Sequence, residues 1–128
     1  MKIAHLDHLV LTVADISVTV DFYTRVLGMR EVTFGNGRKA LHFGKQKINL
    51  HQAGKEFEPK AKHPAPGSAD LCFTSTTPIE QIIKEVNEAN TTIEQGPIER
   101  TGAKSKLISV YFRNPDGNSI EISNEYQT

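Results

Sequence analysis

A chain of 128 residues with one cysteine and 15 basic against 15 acidic residues is already bounded before any motif is read. Its charge balance offers no net field for nucleic acid or an anionic membrane, and no apolar stretch approaches the ~20 residues of a membrane span. Cys72 alone can form no intrachain disulfide, and Met1-Lys2-Ile3-Ala4-His5 lacks the apolar core of a signal peptide, so the expectation is one soluble, cytoplasmic domain over residues 1–128.

Residues 6–13 alternate loosely and predict a strand, with Leu9, Leu11 and Val13 on one face and His8, Val10 and Thr12 on the other. Asp15 or Ser17 caps a helix that runs through Val20, Phe22, Tyr23, Val26 and Leu27 to a stop at Gly28. Three short strands follow at 29–34, 39–44 and 47–52, separated by turns at Gly35-Asn36-Gly37 and Gly44-Lys45-Gln46. Gly54, Pro59, Pro64, Pro66 and Gly67 then rule out a regular element over 53–68, which reads as a linker or a functional flap.

The order begins again with a strand at 69–75. Thr77-Pro78-Ile79-Glu80 reads as a capping box with proline at the first helical position, and Ile79, Ile82, Ile83, Val86 and Ala89 give that helix an apolar stripe ending near Asn90. Strands are expected at about 92–98, 106–113 and 118–124, the last two joined by a turn in which Asp116 can accept a local hydrogen bond and Gly117 supplies a positive φ. A 62-residue offset relates His8 to Asp70, Asp15 to Thr77 and Gly28 to Asn90. The chain is therefore an α+β fold of two tandem βαβββ modules, 4–52 and 69–125, joined by the loop 53–68. Each helix must cover one face of a curved four-stranded sheet, which leaves the other faces free to form a cup.

His8 and Asp70 lie near the starts of the first strands of the two modules, and His51 and Glu121 near the ends of the last strands. Each sits opposite its strand's larger aliphatic residues: Leu9/Leu11, Leu71/Phe73, Ile48/Leu50 and Ile120/Ile122. If the helices cover the aliphatic faces, two imidazoles and two carboxylates point into the cup, a donor set suited to a divalent Mn, Fe, Ni, Co or Zn ion. Read singly, His8 can instead be a histidine satisfied by Asp7, His51 a solvent-facing residue and Asp70 a strand-edge residue.

Asp7-His8-Leu9-Val10-Leu11-Thr12-Val13 with Phe22-Tyr23-Thr24-Arg25-Val26-Leu27-Gly28-Met29, and Asn114-Pro115-Asp116-Gly117-Asn118 with Ile120-Glu121-Ile122, resemble the opening and closing halves of the vicinal-oxygen-chelate superfamily. That superfamily takes in glyoxalase I, bleomycin and fosfomycin resistance proteins, methylmalonyl-CoA epimerase and extradiol dioxygenases. Lys47-Ile48-Asn49-Leu50-His51 and the loop from Gly54 to Ala61 look most like its short glyoxalase-domain-containing proteins (type five) and their bacterial relatives. The resemblance implies paired βαβββ modules, a homodimer, a small-molecule substrate chelated through neighbouring oxygens, and a metal held at His8, His51, Asp70 and Glu121. Glyoxalase I has a carboxylate where His51 stands and a histidine or glutamate where Asp70 stands, so this chain departs from it at two ligand places. By likeness to glyoxalase I, Glu121 leaves the metal and acts as general base.

The activity implied is that of a divalent-metal-dependent lyase or isomerase. An extradiol-type ring-cleaving dioxygenase is one alternative, and a metal-free, bleomycin-resistance-like protein that sequesters its ligand is another. Arg100, Lys104 and Lys106 could grip an anionic substrate or be solvated surface charges. Lys55, Lys60, Lys62 and His63 could close over the cup or belong to a plain linker. His42, Cys72, Tyr111 and Phe112 are further residues whose faces decide whether they reach the site.

Overall fold

The computed structural model describes residues 1–126 in the order β1 (His8–Val13), α1 (Ile16–Arg25), β2 (Arg30–Phe34), β3 (Arg38–Phe43), β4 (Gln46–Gln52), β5 (Asp70–Thr74), α2 (Ile79–Glu88), β6 (Gln95–Thr101), β7 (Lys106–Arg113) and β8 (Ser119–Tyr126). The βαβββ order occurs twice. The chain divides into two units, Met1–Gly67 and Ser68–Thr128, so the loop from 53 to 67 belongs to the first. No helix among the described residues is long and apolar enough to cross a membrane.

In unit 1 the sheet runs β1-β4-β3-β2, parallel between β1 and β4 and antiparallel elsewhere. Alternation sends Leu11 and Val13 of β1, Leu41 of β3, and Ile48 and Leu50 of β4 to one face, where α1 buries them under Val20, Phe22 and Tyr23. Phe22 and Tyr23 meet edge to face at 5.4 Å. Full burial of side chains of this size contributes roughly 1.5–3 kcal/mol each. Asp15 caps α1 by accepting from Val18 N, and the chain leaves the helix through Gly28 at φ 67.

Unit 2 repeats the pattern as β5-β8-β7-β6, with β5 and β8 parallel. α2 lays Ile79, Ile82 and Val86 against Val110 and Phe112 of β7 and Ile120 and Ile122 of β8. Asn90 stops α2 in the left-handed conformation, φ 58, and Thr91 N closes the last turn onto Val86 O. The capping box expected at Thr77 does not form. Pro78 is the N-cap, with extended ψ 143, and its carbonyl takes the first bonds, from Gln81 N and Ile82 N. Thr77 is held elsewhere: its N–H goes to Ser75 Oγ and its carbonyl accepts from Asn124.

In the turn between β7 and β8, Asn114 is a side-chain acceptor, its Oδ1 taking Asp116 N and Asn118 N at 3.0 Å each. Gly117 has the expected positive φ of 84. Asn118 Oδ1 then takes Ala69 N at 2.9 Å, pinning the start of β5 to the start of β8. That register fixes which residues stand beside Glu121.

Candidate functional site

The face of each sheet away from its helix carries the polar residues singled out from the sequence. In unit 2, register pairs Asp70 with Ser119, Cys72 with Glu121 and Thr74 with Ser123, and β7 sets Tyr111 beside Glu121 and Ser109 beside Ser123. Ser109 is fully buried and donates from Oγ to Glu121 Oε2 at 2.7 Å. A hydroxyl has one proton, so Ser109 accepts from Ser123 Oγ at 2.6 Å. The Cys72 thiol lies 3.5 Å from Ser123 Oγ. On the other side, Arg100 Nε donates to Tyr111 Oη at 2.8 Å, and Tyr111 stands opposite Glu121 in the β7–β8 register.

These contacts hold the Glu121 carboxylate at the wall of a cleft of about 580 Å³, which Cys72, Thr74, Arg100, Lys104 and Leu107 also line. Desolvation, and then the neighbouring Glu121 charge, push the Tyr111 phenol up despite its bond from Arg100. Desolvation likewise pushes the Cys72 thiol up, so this cysteine is not set up as a thiolate. The cleft thus joins the half-buried Glu121 carboxylate to the donor Arg100, which suits an anionic or oxygen-rich ligand, and also carries Lys104, paired with Glu125. Asp70 stands on the same face, two positions from Glu121 on the neighbouring strand, about 7–8 Å by strand geometry.

In unit 1 the two histidines are not neighbours. His8 pairs with Lys47 and His51 with Thr12, an offset of four positions on adjacent strands, or about 13 Å. His8 is exposed, and its Nδ1 lies 2.8 Å from Asp7 Oδ2, which leaves Nε2 turned away from that bond. The same bond holds the Asp7 carboxyl below its usual range. A carboxylate bonded to one ring nitrogen is the arrangement that orients a metal-ligating histidine.

His51 is buried, and its Nε2 lies 3.3 Å from an Arg38 guanidinium nitrogen. Burial, and then Arg38, hold the imidazole below its usual range. Arg38 itself lies between Phe34, 5.1 Å from its ring centre, and Phe57, at 4.5 Å, and the Phe57 ring meets His51 edge-on at 5.6 Å. The loop after β4 is therefore not a bare linker in unit 1, because its Phe57 lies on the open face of the sheet.

Strand register also shifts one correspondence between the halves. Val10 pairs with Asn49 and Cys72 with Glu121, so Asn49 takes in unit 1 the place that Glu121 takes in unit 2, and His51 matches Ser123. The sequence carries this signal in the parallel triplets Ile48-Asn49-Leu50 and Ile120-Glu121-Ile122. Among the described residues no three His, Cys, Asp or Glu side chains are grouped to hold a metal ion. Arg38, Phe57 and Ser109 contact the candidate residues His51 and Glu121 and were not singled out from the sequence.

The family described as Glyoxalase/Bleomycin resistance protein/Dioxygenase superfamily matches residues 5–122. The chain is 59% identical over 123 residues to Virulence protein STM3117 of Salmonella typhimurium, covering 96% of this chain and 85% of that protein. It is 54% identical, again over 123 residues, to Glyoxalase domain-containing protein RDO1 of Mycosarcoma maydis, covering 96% and 69%. Among solved structures, the integron cassette protein VCH_CASS1 from the mobile metagenome of V. cholerae is 60% identical, with a TM-score of 0.95 and 97% of each chain covered.

Proposed function

Because the chain belongs to the Glyoxalase/Bleomycin resistance protein/Dioxygenase superfamily, we propose that it is a glyoxalase-like lyase or isomerase acting on a small, oxygen-rich substrate, with Glu121 as general base. The observation that carries this reading is the Glu121 carboxylate, oriented by Ser109 at the wall of a cleft that also presents Arg100. An oriented carboxylate beside a bound carbonyl compound can take a proton from the adjacent carbon. Arg100 and Lys104 would hold the substrate's negative charge, and the Ser109–Ser123 pair would keep the carboxylate from turning.

The superfamily's divalent ions would supply Lewis acidity, polarising the carbonyl so that the adjacent C–H becomes acidic. Within unit 2 the Asp70 and Glu121 carboxylates share a face and would be donors suited to such an ion, and within unit 1 His8 would be another, its nitrogen opposite Asp7 turned away. His51 is left out of the proposed set, because a cationic guanidinium stands at its Nε2. A metal-free, ligand-sequestering protein is the second reading, favoured by that Arg38–His51 contact and by Asn49 where a carboxylate stands in the other half.

Elemental analysis of untagged protein separates the two. The catalytic reading expects about one tightly held divalent ion per chain, lost in His8→Ala and Glu121→Ala and kept in His51→Gln. If no ion is held, and none raises the unfolding temperature when added back, the sequestering reading replaces it.

A further inference from the structure

Unit 1 has a cavity of its own, about 250 Å³, lined by Val10, Thr12, His51, Pro59, Lys60 and Ala61. His51 is 2% exposed yet borders it. An arginine nitrogen can only donate, so His51 Nε2 is the acceptor in its contact with Arg38, and the ring proton sits on Nδ1. The two ring nitrogens diverge. With Nε2 turned to Arg38, Nδ1 points away from that guanidinium. Among the described residues no acceptor takes that proton.

The polar groups lining the cavity can all donate: His51 Nδ1–H, the Thr12 hydroxyl and the Lys60 ammonium, which is also paired with Glu58. No carboxylate lines it. Behind His51, Arg38 is stacked between two phenylalanine rings, has no carboxylate partner among the described residues, and keeps its Nε buried without a hydrogen bond. A partly desolvated cation without a counter-charge favours an anion nearby. The remaining walls, Val10, Pro59 and Ala61, are apolar. The space is smaller than the roughly 300–1,000 Å³ of drug-sized pockets.

We infer that this cavity binds a short aliphatic carboxylate. The carboxylate accepts from His51 Nδ1, Thr12 Oγ1 and Lys60 Nζ, and the hydrocarbon lies on Val10, Pro59 and Ala61. Arg38 is a positioning residue: by occupying Nε2 it fixes the tautomer that presents Nδ1–H. The inference rests on unit 1 alone and does not depend on Glu121 acting as a base.

Full-length protein labelled with ¹⁵N at histidine is titrated with butyrate and, in parallel, with uncharged butyramide. Butyrate is expected to move the His51 Nδ1 resonance saturably, and butyramide to leave it in place. Lys60→Met and Thr12→Val should each weaken butyrate binding about tenfold, with the unfolding midpoint little changed. Arg38→Met should shift the His51 ¹⁵N pair toward mixed tautomers, and Arg38→Lys should restore the single tautomer, which a merely structural arginine would not do. No response of His51 to butyrate, an equal response to butyramide, or unchanged binding in Lys60→Met overturns the proposal.

Discussion

Replacing Phe57 with alanine is expected to free the loop from 53 to 67 from the open face of unit 1. The ring is 45% exposed, so a little over half of its surface is buried, against His51 and Arg38. A phenylalanine can bury ~150–250 Å². Half of that, at ~25 cal/mol per Å², comes to about 2–3 kcal/mol, including no separate term for the guanidinium–ring contact, which adds about 0.5–1 kcal/mol. Both figures are upper bounds, because the unfolded chain already buries some of the ring. The loss falls first on the loop. Phe57→Ala should therefore speed amide exchange and limited proteolysis within 53–67 much more than in the strands. Relief of burial should also let the His51 pKa rise toward its ordinary value. Urea unfolding, loop proteolysis and a histidine NMR titration read the three effects. A variant with unfolding free energy within about 0.5 kcal/mol of the parent, unchanged loop exchange and an unmoved His51 titration would refute the packing argument.

Gly96 sits at the bulge in β6, at φ 104, where an added Cβ would lie 2.3 Å from Ser109 O, so Gly96→Ala should cost roughly 2–4 kcal/mol by denaturant unfolding. Asp15→Ala removes the α1 cap bond to Val18 N and should cost about 1 kcal/mol, with Asp15→Asn restoring most of it. His51 has a folded pKa below its unfolded value of ~6.5. The unfolded chain therefore binds the extra proton first as pH falls, so the stability present above pH ~6.5 is lost on acidification through the window down to the folded pKa. Arg38→Met removes one cause of that depression and should flatten the pH dependence of the urea midpoint between about pH 7.5 and 5.5; an unchanged slope would assign the depression to burial alone.

Local pattern made much of this fold legible. Two-residue alternation separates Leu11 and Val13 from Thr12, and Ile120 and Ile122 from Glu121, and each helix covers the aliphatic set as the pattern requires. Asp15, Gly28 and Asn90 act at helix ends because each is defined by its immediate neighbours along the chain. What depends on pairing between distant strands was harder to read. The offset that places Asn49 opposite Val10 and His51 opposite Thr12 is set by the lengths of the intervening connections. A two-residue slip leaves the face of every side chain unchanged, so alternation alone could not detect it. The contacts of His51 with Arg38 and Phe57 join a strand start, a strand end and a loop rich in proline, none of which carries a periodic signal. At α2, Thr77 and Glu80 fit a capping pattern by spacing, but Ser75 and Asn124 take the Thr77 backbone groups instead.

The central claim, that Glu121 takes a proton from carbon, is tested most directly by deuterium exchange in D₂O. Small 2-hydroxy carbonyl compounds and 2-oxo acids would be incubated with ion-supplemented protein and with Glu121→Gln, and C–H loss followed by proton NMR. At least one compound is expected to exchange well above the buffer rate with the parent protein and at the buffer rate with a folded Glu121→Gln. Exchange that persists in Glu121→Gln, or that occurs with no compound of the set, contradicts the assignment of Glu121 as base.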